Sequence, residues 1–270
     1  MGEKPVPITS SAEPDFTADQ IALFHAVLEH MNERNVPYVV AGAAALRHHT
    51  GIARNTKDLD LFLPAEYVAA ALQSLQEEEF ETEIPDPVWL AKAHRGEYYV
   101  DLITGMSNAV VTVDQSWIDR GIPSELHGVA VKVLAPEELI ASKLFVTRRE
   151  RFDGADLVHV VYATKGKLDW DRVLQLAGEN WEMVLWMLVL YHYIYPAHPD
   201  YVPKTIWEEL LGRLRAEISR PNPNARFRGS LIDPPMFNID MTEWGLPNLL
   251  EEYREKRLAE IEPRAEEPAA

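Results

Sequence analysis

The chain contains no cysteine. Disulfide bridges and thiolate-ligated zinc are therefore excluded, while the redox compartment stays open. Basic residues are scarce: 26 Lys and Arg stand against 43 Asp and Glu, for a formal net charge of -17. That balance disfavours a broad basic face for gripping nucleic acid, but it leaves room for a local pocket that takes one nucleotide. Long apolar runs are also missing. The most apolar stretch, Met183 to Ile194, falls short of the ~20 residues that a membrane helix needs and reads as a buried helix. Residues Met1 to Phe16 are polar and proline-containing, without the apolar core of a signal peptide, so a cytoplasmic protein with no membrane association is expected. No internal repeat is present. What remains is 270 residues, 47% hydrophobic and 26% charged, room for one domain or two small ones.

Two neighbouring stretches carry the strongest pattern. Val39-Val40-Ala41-Gly42-Ala43-Ala44-Ala45-Leu46 reads as a short apolar strand that breaks at Gly42 and opens an Ala-rich helix. Lys57-Asp58-Leu59-Asp60-Leu61-Phe62-Leu63 alternates charged and apolar residues, as a half-buried strand does. Side chains two apart in a strand share a face, roughly 6.5 Å apart along the backbone. Asp58 and Asp60 should therefore point together, with Leu59, Leu61 and Leu63 facing the core. Two carboxylates ~4 Å apart repel by on the order of 4 kcal/mol at an effective dielectric near ~20, unless a proton or cation intervenes. Mg²⁺ takes carboxylate oxygens and keeps positions for substrate phosphates. Strand, glycine, helix and Asp-x-Asp together point to phosphoryl chemistry.

Around this centre the spacing predicts a helix from Thr17, capped with Gln20, to about Arg34, then a strand over Tyr38 to Ala41. The helix at Gly42 should run to about His48, and a basic loop, Thr50 to Lys57, carries Arg54 and Lys57. Pro64 suits the first turn of a helix reaching about Glu78. This β-α-β-α order predicts a mixed or parallel sheet with helices packed on it. A strand near Phe80 to Ile84 precedes a hairpin with arms Val88 to Ala93 and Tyr98 to Ile103 and a turn at His94-Arg95-Gly96-Glu97. Its second arm places Tyr99, Asp101 and Ile103 on one face. After a stretch without a clear pattern come a strand, Val129 to Leu134, and a helix from Pro136 to about Thr147 that carries Lys143. Helices follow over 153–163, 170–177, 181–193, 205–218 and 249–261, while 227–248 has no assignment.

Strand, Gly, small residue, helix, Asp-x-Asp and a further Asp on a later strand resemble the polymerase-β-like nucleotidyltransferase superfamily. Val133-Leu134-Ala135-Pro136-Glu137-Glu138-Leu139-Ile140-Ala141-Ser142-Lys143, followed by Arg151-Phe152-Asp153-Gly154-Ala155-Asp156-Leu157, resembles the AbiEii/MenT-type minimal nucleotidyltransferases. The resemblance spans about residues 20 to 165. It implies an α/β (α+β) fold: a nucleotidyltransferase core with a mixed β-sheet flanked by helices, then a mainly helical C-terminal region. The expected division is a flexible leader 1–15, a core 16–135, a helical region 136–261 and a disordered tail 262–270.

The same resemblance implies the site. Asp58 and Asp60 would hold Mg²⁺ or Mn²⁺, and Asp101 would complete the metal site and activate the acceptor hydroxyl. Gly42 and Ala43 would receive the triphosphate at a helix N-terminus, with Arg54 and Lys57 as its charge complement. Lys143 would contact nucleotide phosphates, and Asp156 would position that lysine or the acceptor. The implied partners are a nucleoside triphosphate and an acceptor, which in such proteins is a small molecule, a protein hydroxyl or tRNA. An antitoxin is a further implied partner, because related proteins serve as toxins of toxin–antitoxin pairs. The chain departs from the family's usual Gly-Gly or Gly-Ser in having Gly42-Ala43. The departure keeps open a non-catalytic module that binds a nucleotide or a protein.

Overall fold

The computed structural model describes residues 16–261 apart from 54, 55 and 57. The expected leader and tail, and the loop cations Arg54 and Lys57, lie outside the described residues.

Helix α1 (Ala18–Glu33) starts where Thr17 Oγ1 accepts the Gln20 N–H at 3.2 Å. Only half of the expected capping box forms. The Gln20 side chain donates instead to the Thr56 carbonyl at 3.0 Å and ties α1 to the loop before the aspartate strand. The i, i+3, i+4 stripe of Phe24, Val27, Leu28 and Met31 is buried. Strand β1 (Val39–Val40) leads into α2 (Gly42–Thr50), then β2 (Asp58–Phe62) and α3 (Val68–Glu77). Strands β3 (Glu81–Asp86), β4 (Leu90–Arg95) and β5 (Tyr98–Ile103) follow, then α4 (Gln115–Asp119), β6 (Ile122–Leu126) and β7 (Val129–Val133). From there the chain is helical: α5 (Pro136–Lys143), α6 (Gly154–Thr164), α7 (Trp170–Ala177), α8 (Trp181–Ile194), α9 (Lys204–Ser219), α10 (Asn238–Thr242) and α11 (Leu249–Ile261).

The strands form one seven-stranded mixed sheet in the order β3-β4-β5-β2-β1-β7-β6. Among the described residues, only β2/β5 and β1/β7 are parallel pairs. The β2/β5 register sets Asp60 beside Asp101, and the β4/β5 register sets Asp101 beside Lys92. Three charged side chains thus line up across three adjacent strands. On the opposite side of β2, Leu59 and Leu61 are buried, as alternation requires. Helices α1 and α3 pack on the sheet, and α2 joins α5 and α6.

Several local features differ from expectation. The β4–β5 strands continue to Arg95 and Tyr98, so the turn is only Gly96-Glu97, with Gly96 at φ +66°. Helix α5 stops at Lys143 rather than near Thr147, and the chain then crosses to a bridge between Thr147 and Phe152. The stretch after β5 contains α4 and β6. Strand β6 is hard to see because it is short, carries Pro123 and lies at an edge, where a missing N–H is tolerated.

The segment after α9 returns to the sheet. Asn108 Nδ2 donates to the Leu231 carbonyl at 3.0 Å, and the Arg149 N–H donates to Asp233 Oδ2 at 2.8 Å. Arg254 reaches Asp86 Oδ1 at 2.9 Å and the Ser107 carbonyl at 2.9 Å. Among the described residues no helix is long and apolar enough to cross a membrane.

Candidate active site

Strand β2 presents Asp58 and Asp60 on one face, and the parallel neighbour β5 adds Asp101 in register. One carboxylate oxygen from each lies within 4.8 Å of the other two. Asp101 is buried. Thr56 donates a short hydrogen bond to Asp58 Oδ1. Lys92 Nζ contacts Asp101 Oδ1 at 2.5 Å and lies 4.2 Å from the centre of the Tyr99 ring.

Crowding of like charge has the expected electrostatic result. Burial first, then the Asp58 and Asp101 charges, push the Asp60 carboxyl up to about 7, with Lys143 and Arg151 opposing. Burial also raises Asp101, and the Lys92 hydrogen bond and charge offset part of that rise.

Gly42 opens α2 directly against this group. It adopts φ +54°, and a Cβ built on it would lie 1.7 Å from Asp60 Oδ2. Only glycine fits, for reasons of both conformation and space. The backbone also meets here, with the Ala41 N–H donating to the Asp60 carbonyl at 2.9 Å.

Across the cleft, Lys143 ends α5 and is buried. Its Nζ sits 2.6 Å from Asp153 Oδ2 and 2.9 Å from Asp156 Oδ2. Asp153 precedes α6, yet its side chain does not cap the helix. It takes Lys143 and, through two hydrogen bonds of 3.1 and 3.0 Å, Arg151. Burial alone would raise the Asp153 carboxyl, but Arg151 and Lys143 outweigh burial and hold it below the usual range.

Asp58, Asp60, Asp101, Lys143, Asp156, Gly42 and Ala43 all line one cleft of 590 Å³. The structure thus brings together every described residue that the sequence singled out, with Arg54 and Lys57 outside its scope. It adds Lys92 beside Asp101, Thr56 on Asp58, and Arg148, Arg151 and Asp153 in the cleft wall. Asp153 and Arg151 were visible in the quoted motif. Lys92 depended on the hairpin register. Arg148 is placed by the early end of α5 and bonds Ser107 Oγ at 2.5 Å.

Three carboxylates converging in this way supply hard oxygen donors. This donor set fits Mg²⁺ or Mn²⁺.

No curated protein matches the chain. Among solved structures, it is similar to the antibiotic-resistance factor ANT(2'')-Ia, with 18% identity, 67% of this chain and 96% of that chain covered, and a TM-score of 0.39. A nucleotidyltransferase-like protein from Paracoccidioides brasiliensis is also 18% identical, with 70% and 96% covered and a TM-score of 0.42. The lincosamide antibiotic adenylyltransferase LnuA is 14% identical, with 55% and 96% covered and a TM-score of 0.38. Residues 21–182, more than half of the chain, match the family described as "Nucleotidyl transferase of unknown function (DUF2204)", and the protein belongs to that family.

Proposed function

We propose that this protein is a Mg²⁺-dependent nucleotidyltransferase, moving a nucleoside monophosphate from a triphosphate to an acceptor hydroxyl with release of pyrophosphate. The observation that carries this reading is the Asp58, Asp60 and Asp101 cluster, with ligand oxygens within 4.8 Å of one another, at the start of α2. The metal, held by these three residues, would supply Lewis-acid stabilisation of the attacking and leaving oxygens. The rest falls to the chain. The backbone at Gly42 and Ala43, at the positive end of α2, receives the phosphates. Lys143 supplies positive charge to them, held in place by Asp153 and Asp156. Asp101 takes the proton of the acceptor hydroxyl as its oxygen bonds to the α-phosphorus and the bond to the bridging oxygen breaks. Residues 16–135 would form the catalytic core, and 136–261 the helical region that closes the cleft.

The test is thermal stability with each of the four triphosphates, with and without Mg²⁺. A ligand at about 100 times its dissociation constant adds about 2.7 kcal/mol. Stabilisation that needs Mg²⁺ and disappears in Asp58→Ala/Asp60→Ala is expected. Incubation of labelled triphosphate with cell extract then reports which molecule receives the label. A wild-type protein indifferent to all four triphosphates sinks the enzymatic reading.

A further inference from the structure

A second cavity, of 350 Å³, meets the first at the aspartates, and among the described residues the two share only Ala43, Thr56, Asp58 and Asp60. Their other walls differ in chemistry. The larger cleft carries Lys143, Arg148 and Arg151 among acids, as a site for phosphates requires. The smaller cavity is walled by Phe16 and Phe24 at α1, Ala44 and Arg47 on α2, and Leu126 and His127 at the β6–β7 turn. The Phe16 ring lies 5.6 Å from Phe24 and 5.6 Å from His127, both edge-on, so the rings form one aromatic corner.

We propose that this smaller cavity is the acceptor subsite, and that it takes a flat, hydroxylated aromatic small molecule. The inference rests on the nucleotidyl-transfer reading and deepens it. Size comes first: 350 Å³ sits at the low end of small-ligand pockets, roughly 300–1,000 Å³. A macromolecular acceptor would have to enter as a single protruding group. Chemistry comes second. Consecutive small residues, Ala43 and Ala44, line the same cavity as the aromatic corner, a combination that favours a planar apolar body. Beyond the shared aspartates, Glu125 is the only carboxylate among the described residues lining it, and Arg47 lines the same cavity, so a polycation gains little.

Geometry comes third. In-line displacement places the attacking oxygen opposite the departing pyrophosphate. Two cavities that meet at Asp58 and Asp60 and otherwise have different walls offer two separate approaches to the pair. The acceptor hydroxyl reaches the junction over the pair and loses its proton to Asp101, which lines the larger cleft rather than this cavity but has an oxygen within 4.8 Å of theirs. Its oxygen bonds to the α-phosphorus, the bond to the bridging oxygen breaks, and pyrophosphate leaves with that electron pair through the larger cleft.

The experiment titrates the full-length protein with 4-methylumbelliferone, a flat fluorescent phenol, and separately follows thermal stabilisation by each Mg²⁺ triphosphate. Ala44→Trp fills the cavity from α2, and Ser124→Trp narrows it from the edge strand β6. Circular dichroism melting checks that each folds. Expected is at least tenfold weaker binding of the phenol in a folded variant, with triphosphate stabilisation unchanged. No binding by wild type, or undiminished binding in both folded variants, overturns the assignment. Loss of triphosphate stabilisation in both folded variants also overturns it, because the cavity would then belong to the nucleotide. A wild type that binds the phenol there but answers no triphosphate overturns nucleotidyl transfer itself, and the acceptor role with it.

Discussion

The Asp60 carboxylate fills the space that a side chain at Gly42 would need, with a Cβ there falling 1.7 Å from Oδ2. Gly42→Ala must therefore displace Asp60 or shift the start of α2, and it adds the strain of an L side chain at φ +54°. The expected cost is about 1–3 kcal/mol of stability. It should come with loss of Mg²⁺-dependent triphosphate stabilisation, read from the same melts. Ala43→Ser, next door and without positive φ, should keep that stabilisation.

Acidity offers a second test. Asp60 has a folded-state pKa pushed up to about 7 from 3.8, so between those values the native protein holds more protons than the unfolded chain. Stability of the metal-free protein should then fall as pH rises from about 4 to 7, and level off above. Each unit of such a shift corresponds to about 1.4 kcal/mol. Asp60→Asn should flatten the profile in melts with EDTA. Added Mg²⁺ should stabilise wild type more at pH 8 than at pH 5, because the ion binds the ionised carboxylate.

Lys143 is a buried cation between two carboxylates. Lys143→Ala leaves Asp153 with Arg151 but removes the ammonium 2.9 Å from Asp156. Removing one member of a buried charge cluster costs about 3–5 kcal/mol, measurable by urea denaturation. Lys143→Arg keeps a positive charge beside the two acids and should recover part of the stability, without recovering triphosphate affinity, because its planar fork does not put a compact point charge where the ammonium sits.

A purely structural cluster provides the contrast. Glu138 is fully buried, with Arg120 Nε at 3.0 Å and Arg172 Nε at 2.9 Å. It joins α5 to α7 and to the segment after α4. Glu138→Ala should cost about 3–5 kcal/mol in urea denaturation. Triphosphate affinity should be unchanged when measured below the melting range.

How far the site could be read from the chain depended on how local each signal was. Asp58 and Asp60 were legible because alternation along one strand fixes their shared face. Asp101 was legible by the same rule, and the parallel β2/β5 pairing completed it. Lys92 was lost through turn length. A four-residue turn at 94–97 would pair Ala93 with Tyr98 and set Leu90 opposite Asp101. The actual two-residue turn pairs Arg95 with Tyr98 and brings Lys92 there. The β6 strand and the segment after α9 were illegible for a different reason. An edge strand with a proline, and a chain held by side-chain bonds to distant loops, carry little periodicity of their own.

The return of the C-terminal segment has a temporal consequence. Arg254 grips Asp86 and Ser107, and Asp233 holds the backbone of Arg149, so both flanks of the cleft are anchored by residues far downstream of the sheet. On the ribosome the sheet and its aspartates can assemble early, but the cleft walls gain their final bracing only after α11 emerges. A nascent or prematurely terminated chain would own the acidic centre without the fixed frame around it.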